Sequence, residues 1–142
     1  MAKVSAKVIQ ISGVTFNGLT ESKHWVAMDG PEEFGGSDGA IRPKELLLLS
    51  LAGCTGSDVA SILTKMRERY TRLEVHLDGE MAEEHPKVYT SLHLKFKIWG
   101  DDLNTSNIEK AISLSSGKYC SVTAMLRNSV KITDSYEINP EE

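Results

Sequence analysis

The chain has 142 residues, 40% of them hydrophobic, and a formal net charge of −4 at pH 7. This length and apolar fraction suit one modest core, so we expect residues 1–142 to form a single domain. The acidic balance, together with the lack of a Lys/Arg cluster in the sequence, argues against nucleic acid as a partner.

The segment Met1 to Ser12 has no compact apolar block, which argues against a secretory signal. The longest apolar run, Leu46 to Leu49, is far too short to cross a bilayer. We therefore expect a cytoplasmic protein with no membrane partner, in which both cysteines rest as thiols.

Three short strands are predicted first, over residues 3–11, 14–19 and 24–28. The alternation shifts by one place near Val8, which indicates either a bulge or a strand end that is covered on both faces. Asn17-Gly18 is a candidate turn. Glycines mark residues 30–39 as a loop. Because these three strands are separated from the rest by the loop, we expect them to pair with a part of the structure that is not adjacent in sequence.

One long helix is predicted over residues 44–70, with Pro43 at its start, where the missing N–H needs no partner. Its first half is apolar on almost every side. A helix of that kind belongs inside a core or an interface.

The rest of the chain mixes strands and short helices. Alternating apolar residues predict an antiparallel pair over 72–82 and 87–99, with a turn near His85-Pro86. A last strand is predicted over residues 130–138. The coarse order is therefore βββ, long α, ββ, αα, β, an α+β chain.

Two short helices are predicted before the last strand. Ser106 and Glu109 fit a capping box that starts the first helix. We expect it to run to about Ser115 and to end at Gly117 in a left-handed conformation. The second is predicted over residues 121–128.

Cys54 lies inside the long helix between Gly53 and Gly56, and each glycine costs about 1 kcal/mol relative to alanine there. Glycines fit a thiol that a ligand or a backbone approaches closely. They equally fit a buried structural cysteine in a tightly packed helix. Asp58, one turn further, faces the same side and would raise the thiol pKa unless a cation intervenes. Asp58 could equally be a structural residue that faces water or the end of another chain's helix.

Cys120 directly precedes the last short helix, where a helix N-terminus favours a thiolate. On local physics it would be the more acidic thiol, although a small core residue would also suit the position. A disulfide between Cys54 and Cys120 needs Cα atoms within about 7 Å, which spacing in the sequence does not establish.

Other catalytic signatures are missing from the sequence. The four histidines, His24, His76, His85 and His93, lack metal-ligand spacing, so we expect no metal site. No Walker motif, dinucleotide fingerprint, nucleophile elbow or HExxH is present.

Three segments resemble the OsmC/Ohr superfamily of thiol-dependent hydroperoxide reductases. They are Pro-Lys-Glu-Leu-Leu-Leu from Pro43, Leu-Ala-Gly-Cys-Thr around Cys54, and Gly-Lys-Tyr-Cys-Ser-Val around Cys120. The resemblance implies an α+β OsmC-like fold and an intertwined homodimer. In that dimer two long central helices are wrapped by antiparallel sheets from both chains.

The resemblance also implies a reaction. Cys54 would attack a small organic hydroperoxide, giving an alcohol and a sulfenic acid, which Cys120 would resolve to a disulfide. No cofactor would be bound, and an external dithiol such as a lipoyl group would reduce the disulfide. This assigns the attacking role to Cys54, against the local pKa argument.

The sequence departs from the peroxidase pattern near Pro43. Peroxidase members of the family carry a Glu directly after the proline and an Arg from the N-terminal unit or the loop. In this sequence Lys44 follows the proline, Glu45 comes one place later, and Arg42 is the only Arg before Pro43. Lys44 would activate Cys54 across a two-fold axis, although Lys44 and Glu45 also fit solvated first-turn charges. The alternative function is a small-molecule-binding or redox-sensing module without peroxidase activity, with a small apolar ligand.

Overall fold

The computed structural model describes residues 1–141, which form two compact units that divide at Leu47 and Leu48. The first unit holds one antiparallel sheet in the order β1-β2-β3. Its strands are Ala6–Ser12, Thr15–Thr20 and Trp25–Met28, and a 3-10 turn follows at Glu32–Phe34.

Two details of the first sheet differ from the sequence-based expectation. The register shift lies between Gln10 and Ser12, not at Val8. Asn17-Gly18 lies inside β2 and forms no turn, because Gly18 pairs with Val8 across the sheet. Gly13, with φ +52°, lies between β1 and β2 and supplies the left-handed conformation that the connection requires.

The loop after β3 is organised around one buried carboxylate, that of Asp29. The backbone N–H groups of Gly30, Ser37 and Gly39 donate to it at 2.7, 3.1 and 3.0 Å, and the Thr15 hydroxyl donates at 2.9 Å. The hydrogen bond from Gly39 has the largest single effect on the pKa of this carboxylate. With the other donors it outweighs burial and lowers the pKa of Asp29 to about 2.

The second unit contains most of the long helix and a three-stranded sheet. The helix α1 spans Glu45–Lys65, and the strands are β4 Tyr70–Met81, β5 Tyr89–Gly100 and β6 Lys131–Ile138. Strand β5 is central, antiparallel to β4 and parallel to β6. The predicted antiparallel pair and the α+β class are therefore confirmed.

The short helices lie between β5 and β6. They are α2 Thr105–Leu114 and α3 Ser121–Leu126, joined by a π-helical turn at Ser115–Tyr119. The core of the second unit combines the buried faces of α1, β5 and α2. Its fully buried apolar side chains include Leu51, Val59, Leu63, Leu92, Leu94, Phe96, Ile98, Ile108 and Ala111.

Three predicted boundaries in the second unit were wrong. Helix α1 ends at Lys65 and not at residue 70, because Arg67 adopts φ +61° and the chain turns into β4. Helix α2 begins one residue before the predicted capping box, since Asn104 is the N-cap and accepts a bond from Asn107 N–H. Gly117 lies inside the π-helical turn and does not provide a left-handed end.

Taken whole, α1 is long and apolar enough to cross a bilayer by length and composition alone. The prediction from the run Leu46 to Leu49 alone therefore underestimated the length of the apolar segment. The central helix of a soluble protein passes the same test, so the finding is weak evidence for a membrane span.

Replacing Asp29 with Asn tests the role of the buried carboxylate. The pKa of Asp29 in the folded state lies below the ordinary value of 3.8. The ionised carboxylate therefore stabilises the fold fully above about pH 4, and this stabilisation is lost as the pH falls through about 2. Asp29→Asn should therefore lower the free energy of unfolding at pH 6, and the difference from wild type should narrow towards pH 2. Urea unfolding at a series of pH values measures this, with Glu33→Gln at an exposed site as the control. A difference independent of pH would contradict the assignment.

Candidate functional site

Helix α1 places Cys54 and Asp58 one turn apart on the same side, about 6 Å along the axis. Cys54 is half-buried. The two neighbouring glycines have different roles. A Cβ on Gly56 would press on Val75 of β4 at 3.2 Å, so Gly56 permits close packing of helix on sheet. A Cβ on Gly53 would meet nothing within 4 Å among the described residues, so packing within this chain does not explain Gly53.

Cys120 is the N-cap of α3, as its position in the sequence predicted. It is only 2% exposed, and its Sγ accepts a hydrogen bond from the backbone N–H of Thr123 at 3.3 Å. Its own N–H donates to the carbonyl of Ser115 at 2.8 Å, across the π-helical turn. The extra residue in that turn therefore sets where Cys120 enters α3.

The fold brings the two cysteines together. The sulfurs of Cys54 and Cys120 and a carboxylate oxygen of Asp58 all lie within 4.8 Å of one another. The two sulfurs are therefore neighbours in the fold, and a disulfide bond of about 2.05 Å would require them to move closer. Both cysteines are free thiols in the structure.

The surroundings of Cys54 disfavour its thiolate. Burial raises the pKa of the Cys54 thiol most, followed by its hydrogen bond and electrostatic interaction with Cys120 and then by the negative charge of Asp58. A backbone hydrogen bond from Val122 acts in the opposite direction. The expectation that Asp58 would raise the thiol pKa is therefore supported by the structure.

Ser115 is a member of the site that the sequence did not reveal. Its hydroxyl is buried and donates to Oδ2 of Asp58 at 2.9 Å, which fixes the orientation of the carboxylate. In the sequence Ser115 was only the predicted last residue of a helix. The π-helical turn that points it at α1 has no sequence signature comparable to a cap or a proline.

The remaining predicted residues lie in the first unit, where the structure gives their local partners. Arg42 pairs with Asp38 at 2.6 Å, and its backbone N–H donates to the carboxylate of Glu45 at 3.0 Å. Glu45 thus caps the start of α1. Lys44 is exposed and directly precedes the helix.

A cleft of about 460 Å³ borders the site on the side of Asp58. Ile62, Met66 and Leu114 give it an apolar lining, while Lys65 and Lys110 bring positive charge. This volume falls in the range of small-molecule pockets.

The comparisons with known proteins give the family. Residues 35–134 match the family model described as OsmC-like protein. The Escherichia coli protein YhfA is 40% identical over 135 residues, which is 95% of this chain and 98% of that protein. The chain belongs to the OsmC-like family.

Solved structures agree in fold. A hypothetical protein from Aquifex aeolicus has a TM-score of 0.85 at 32% identity, with complete coverage of both chains. An organic hydroperoxide resistance protein from Legionella pneumophila has a TM-score of 0.70 at 17% identity, covering 96% of this chain and 98% of that one. The predicted OsmC-like α+β fold is therefore confirmed.

Removing the charge of Asp58 should make Cys54 more acidic. Asp58→Asn keeps the side-chain shape but removes a negative charge that raises the pKa of the Cys54 thiol. The pH profile of iodoacetamide alkylation of Cys54 should therefore shift to lower pH, and the rate at pH 7 should rise several-fold.

Asp101→Asn, at an exposed carboxylate between β5 and α2, is the matched control and should leave the profile unchanged. An Asp58→Asn profile that coincides with wild type would show that the Asp58 charge does not act on the thiol.

Proposed function

We propose that the protein is a cytoplasmic thiol peroxidase that reduces small organic hydroperoxides. The observation that carries the proposal is the approach of the Cys54 and Cys120 sulfurs, within 4.8 Å, inside an OsmC-like fold. Cys54 is half-buried whereas Cys120 is 2% exposed, so Cys54 is the thiol that a substrate reaches.

In the proposed reaction the Cys54 thiolate attacks the terminal peroxide oxygen. The O–O bond breaks, the alkoxide leaves and takes up a proton as an alcohol, and Cys54 becomes a sulfenic acid. The Cys120 sulfur then displaces water from it to form the disulfide. Two electrons pass from the thiol pair to the peroxide, and an external dithiol such as a lipoyl group restores the thiols without a bound cofactor.

The raised pKa of Cys54 means that this reaction needs a cation near the thiol. The Asp58 carboxylate, which has an oxygen within 4.8 Å of the Cys54 sulfur, adds negative charge beside the thiol. We propose that Lys44 of the partner subunit supplies the cation, with Arg42 and Glu45 orienting it. A Lys44→Met variant with an unchanged Cys54 pKa would rule this out.

A homodimer is supported by the first unit, which has no apolar core of its own. Among the described residues, every buried hydrophobic side chain lies at Leu51 or later. In β1, Val8 is 59% and Ile9 is 48% exposed, and they point to opposite faces of the sheet because they are neighbours in the strand. A sheet apolar on both faces needs covering from outside, and a second copy of the chain provides it.

The cleft beside Asp58 is the proposed place for the organic part of the substrate. Its apolar residues Ile62, Met66 and Leu114 suit an alkyl chain. The same cleft, together with the raised pKa of Cys54, favours the second candidate, a ligand-binding or redox-sensing module with slow thiols.

Thiol oxidation kinetics separate the two functions. Reduced protein should lose two thiols per chain rapidly with cumene hydroperoxide, followed by stopped-flow fluorescence. Cys54→Ser should show no fast phase, whereas Cys120→Ser should retain it and accumulate a sulfenic acid detectable by dimedone trapping. Slow loss of wild-type thiols, at the rate of free cysteine, would favour the binding or sensing module.

Introducing a charge into the exposed apolar face of α1 tests the dimer. Leu49 is 59% exposed within one chain, so Leu49→Glu should be harmless in a monomer. In a dimer with packed central helices it should weaken association by several kcal/mol, because it buries an unpaired charge. Sedimentation velocity measures whether each protein is a monomer or a dimer. The control Ser113→Glu adds the same charge on an exposed position of α2 and should leave a dimer intact. A wild-type monomer would contradict the proposal.

A further inference from the structure

The groups that surround the cysteine pair are also a set of metal ligands. They comprise two sulfurs and one carboxylate oxygen, all within 4.8 Å of one another. Around a tetrahedral Zn²⁺ with Zn–S bonds of about 2.3 Å, two sulfurs stand about 3.8 Å apart. Side-chain movements of about 1 Å would bring the two sulfurs to that separation. We propose that the reduced protein binds one Zn²⁺ per chain through Cys54, Asp58 and Cys120.

The donor set defines the class of metal. Two thiolates favour Zn²⁺ and other thiophilic cations, whereas Mg²⁺ and Ca²⁺ prefer sites made only of oxygen. As two thiolates and a carboxylate, the three ligands carry three negative charges, of which a divalent cation compensates two. The three ligands leave the fourth tetrahedral position of the metal for water or a small anion. Solvent would reach this position beside Cys54, which is only half-buried.

Two hydrogen bonds hold the ligands in place. The buried Ser115 hydroxyl donates to Oδ2 of Asp58 at 2.9 Å and leaves the other carboxylate oxygen for the metal. The Thr123 N–H donates to the Cys120 sulfur at 3.3 Å and spreads the charge of a thiolate. Such outer bonds orient metal ligands, and their loss typically lowers metal affinity about 10- to 100-fold.

The sequence-based expectation of no metal site relied on the spacing of the histidines. Cys54, Asp58 and Cys120 form a different set, since only the i, i+4 spacing of the first two is visible in the sequence. The third ligand joins from 62 residues further along the chain, which is the separation between Asp58 and Cys120. Ligands that meet only in the folded protein escape a search by local spacing.

Zinc binding to the reduced protein tests the inference. The dissociation constant is measured by competition with a chromophoric zinc chelator, and the ligand set by Co²⁺ substitution. We expect one Zn²⁺ per chain and a Co²⁺ complex with a thiolate charge-transfer band. Excess Mg²⁺ should not displace the metal.

Three variants probe the ligands. Cys54→Ser, at the half-buried position, should abolish the charge-transfer complex or weaken it strongly. Asp58→Asn and Ser115→Ala should each lower zinc affinity at least about 10-fold. Asp101→Asn should bind as wild type does. Circular dichroism confirms that each variant is folded.

The proposal is overturned if reduced wild-type protein binds no zinc, or if Cys54→Ser or Asp58→Asn binds it with wild-type affinity. Because no peroxide is used, the result is separate from the test of peroxidase activity. A protein with slow thiols can still bind zinc here, and a fast peroxidase can fail to bind it.

Discussion

The burial of one stripe of α1 is the constraint on which the candidate site depends. Leu51, Thr55, Val59 and Leu63, spaced four residues apart, are fully or almost fully buried and fix the rotation of the helix against the core. Cys54 and Asp58 each precede a stripe residue by one position, about 100° around the helix. They therefore lie beside the core at a fixed angle, where Cys120 and Ser115 meet them.

The second half of the site depends on the segment between α2 and α3. The π-helical turn Ser115–Tyr119 sets two groups at once, since Ser115 bonds to Asp58 while its carbonyl accepts the N–H of Cys120. One irregular turn thus couples the orientation of the carboxylate to the entry of the second cysteine. Replacing the irregular turn with a regular helix would change both contacts together.

Much of the fold and part of the candidate site could be predicted from the sequence. Alternating apolar residues predicted β4 and β5, because a strand with one buried face leaves a period-two pattern in the sequence. Leu94 and Phe96 of β5 are two of these residues, and both are buried. The cysteine pair was identified because its surroundings resemble a known family. Boundaries failed where backbone geometry and not hydrophobicity decides them: at Arg67, with its positive φ, at the Asn104 cap and at Gly117 in the π-helical turn. Ser115 escaped because its role arises from a contact 57 residues away in sequence.

The site combines two thiols and a carboxylate, so its chemistry depends on what supplies positive charge. A cationic side chain would stabilise the Cys54 thiolate and leave its lone pairs free to attack a peroxide. A bound Zn²⁺ would stabilise the same thiolate but occupy the lone pair that attacks. The two sources of charge therefore lead to opposite reactivities from one arrangement of ligands. The cation that neutralises Asp58 and the two cysteines decides whether the pair reduces a substrate or stores a metal.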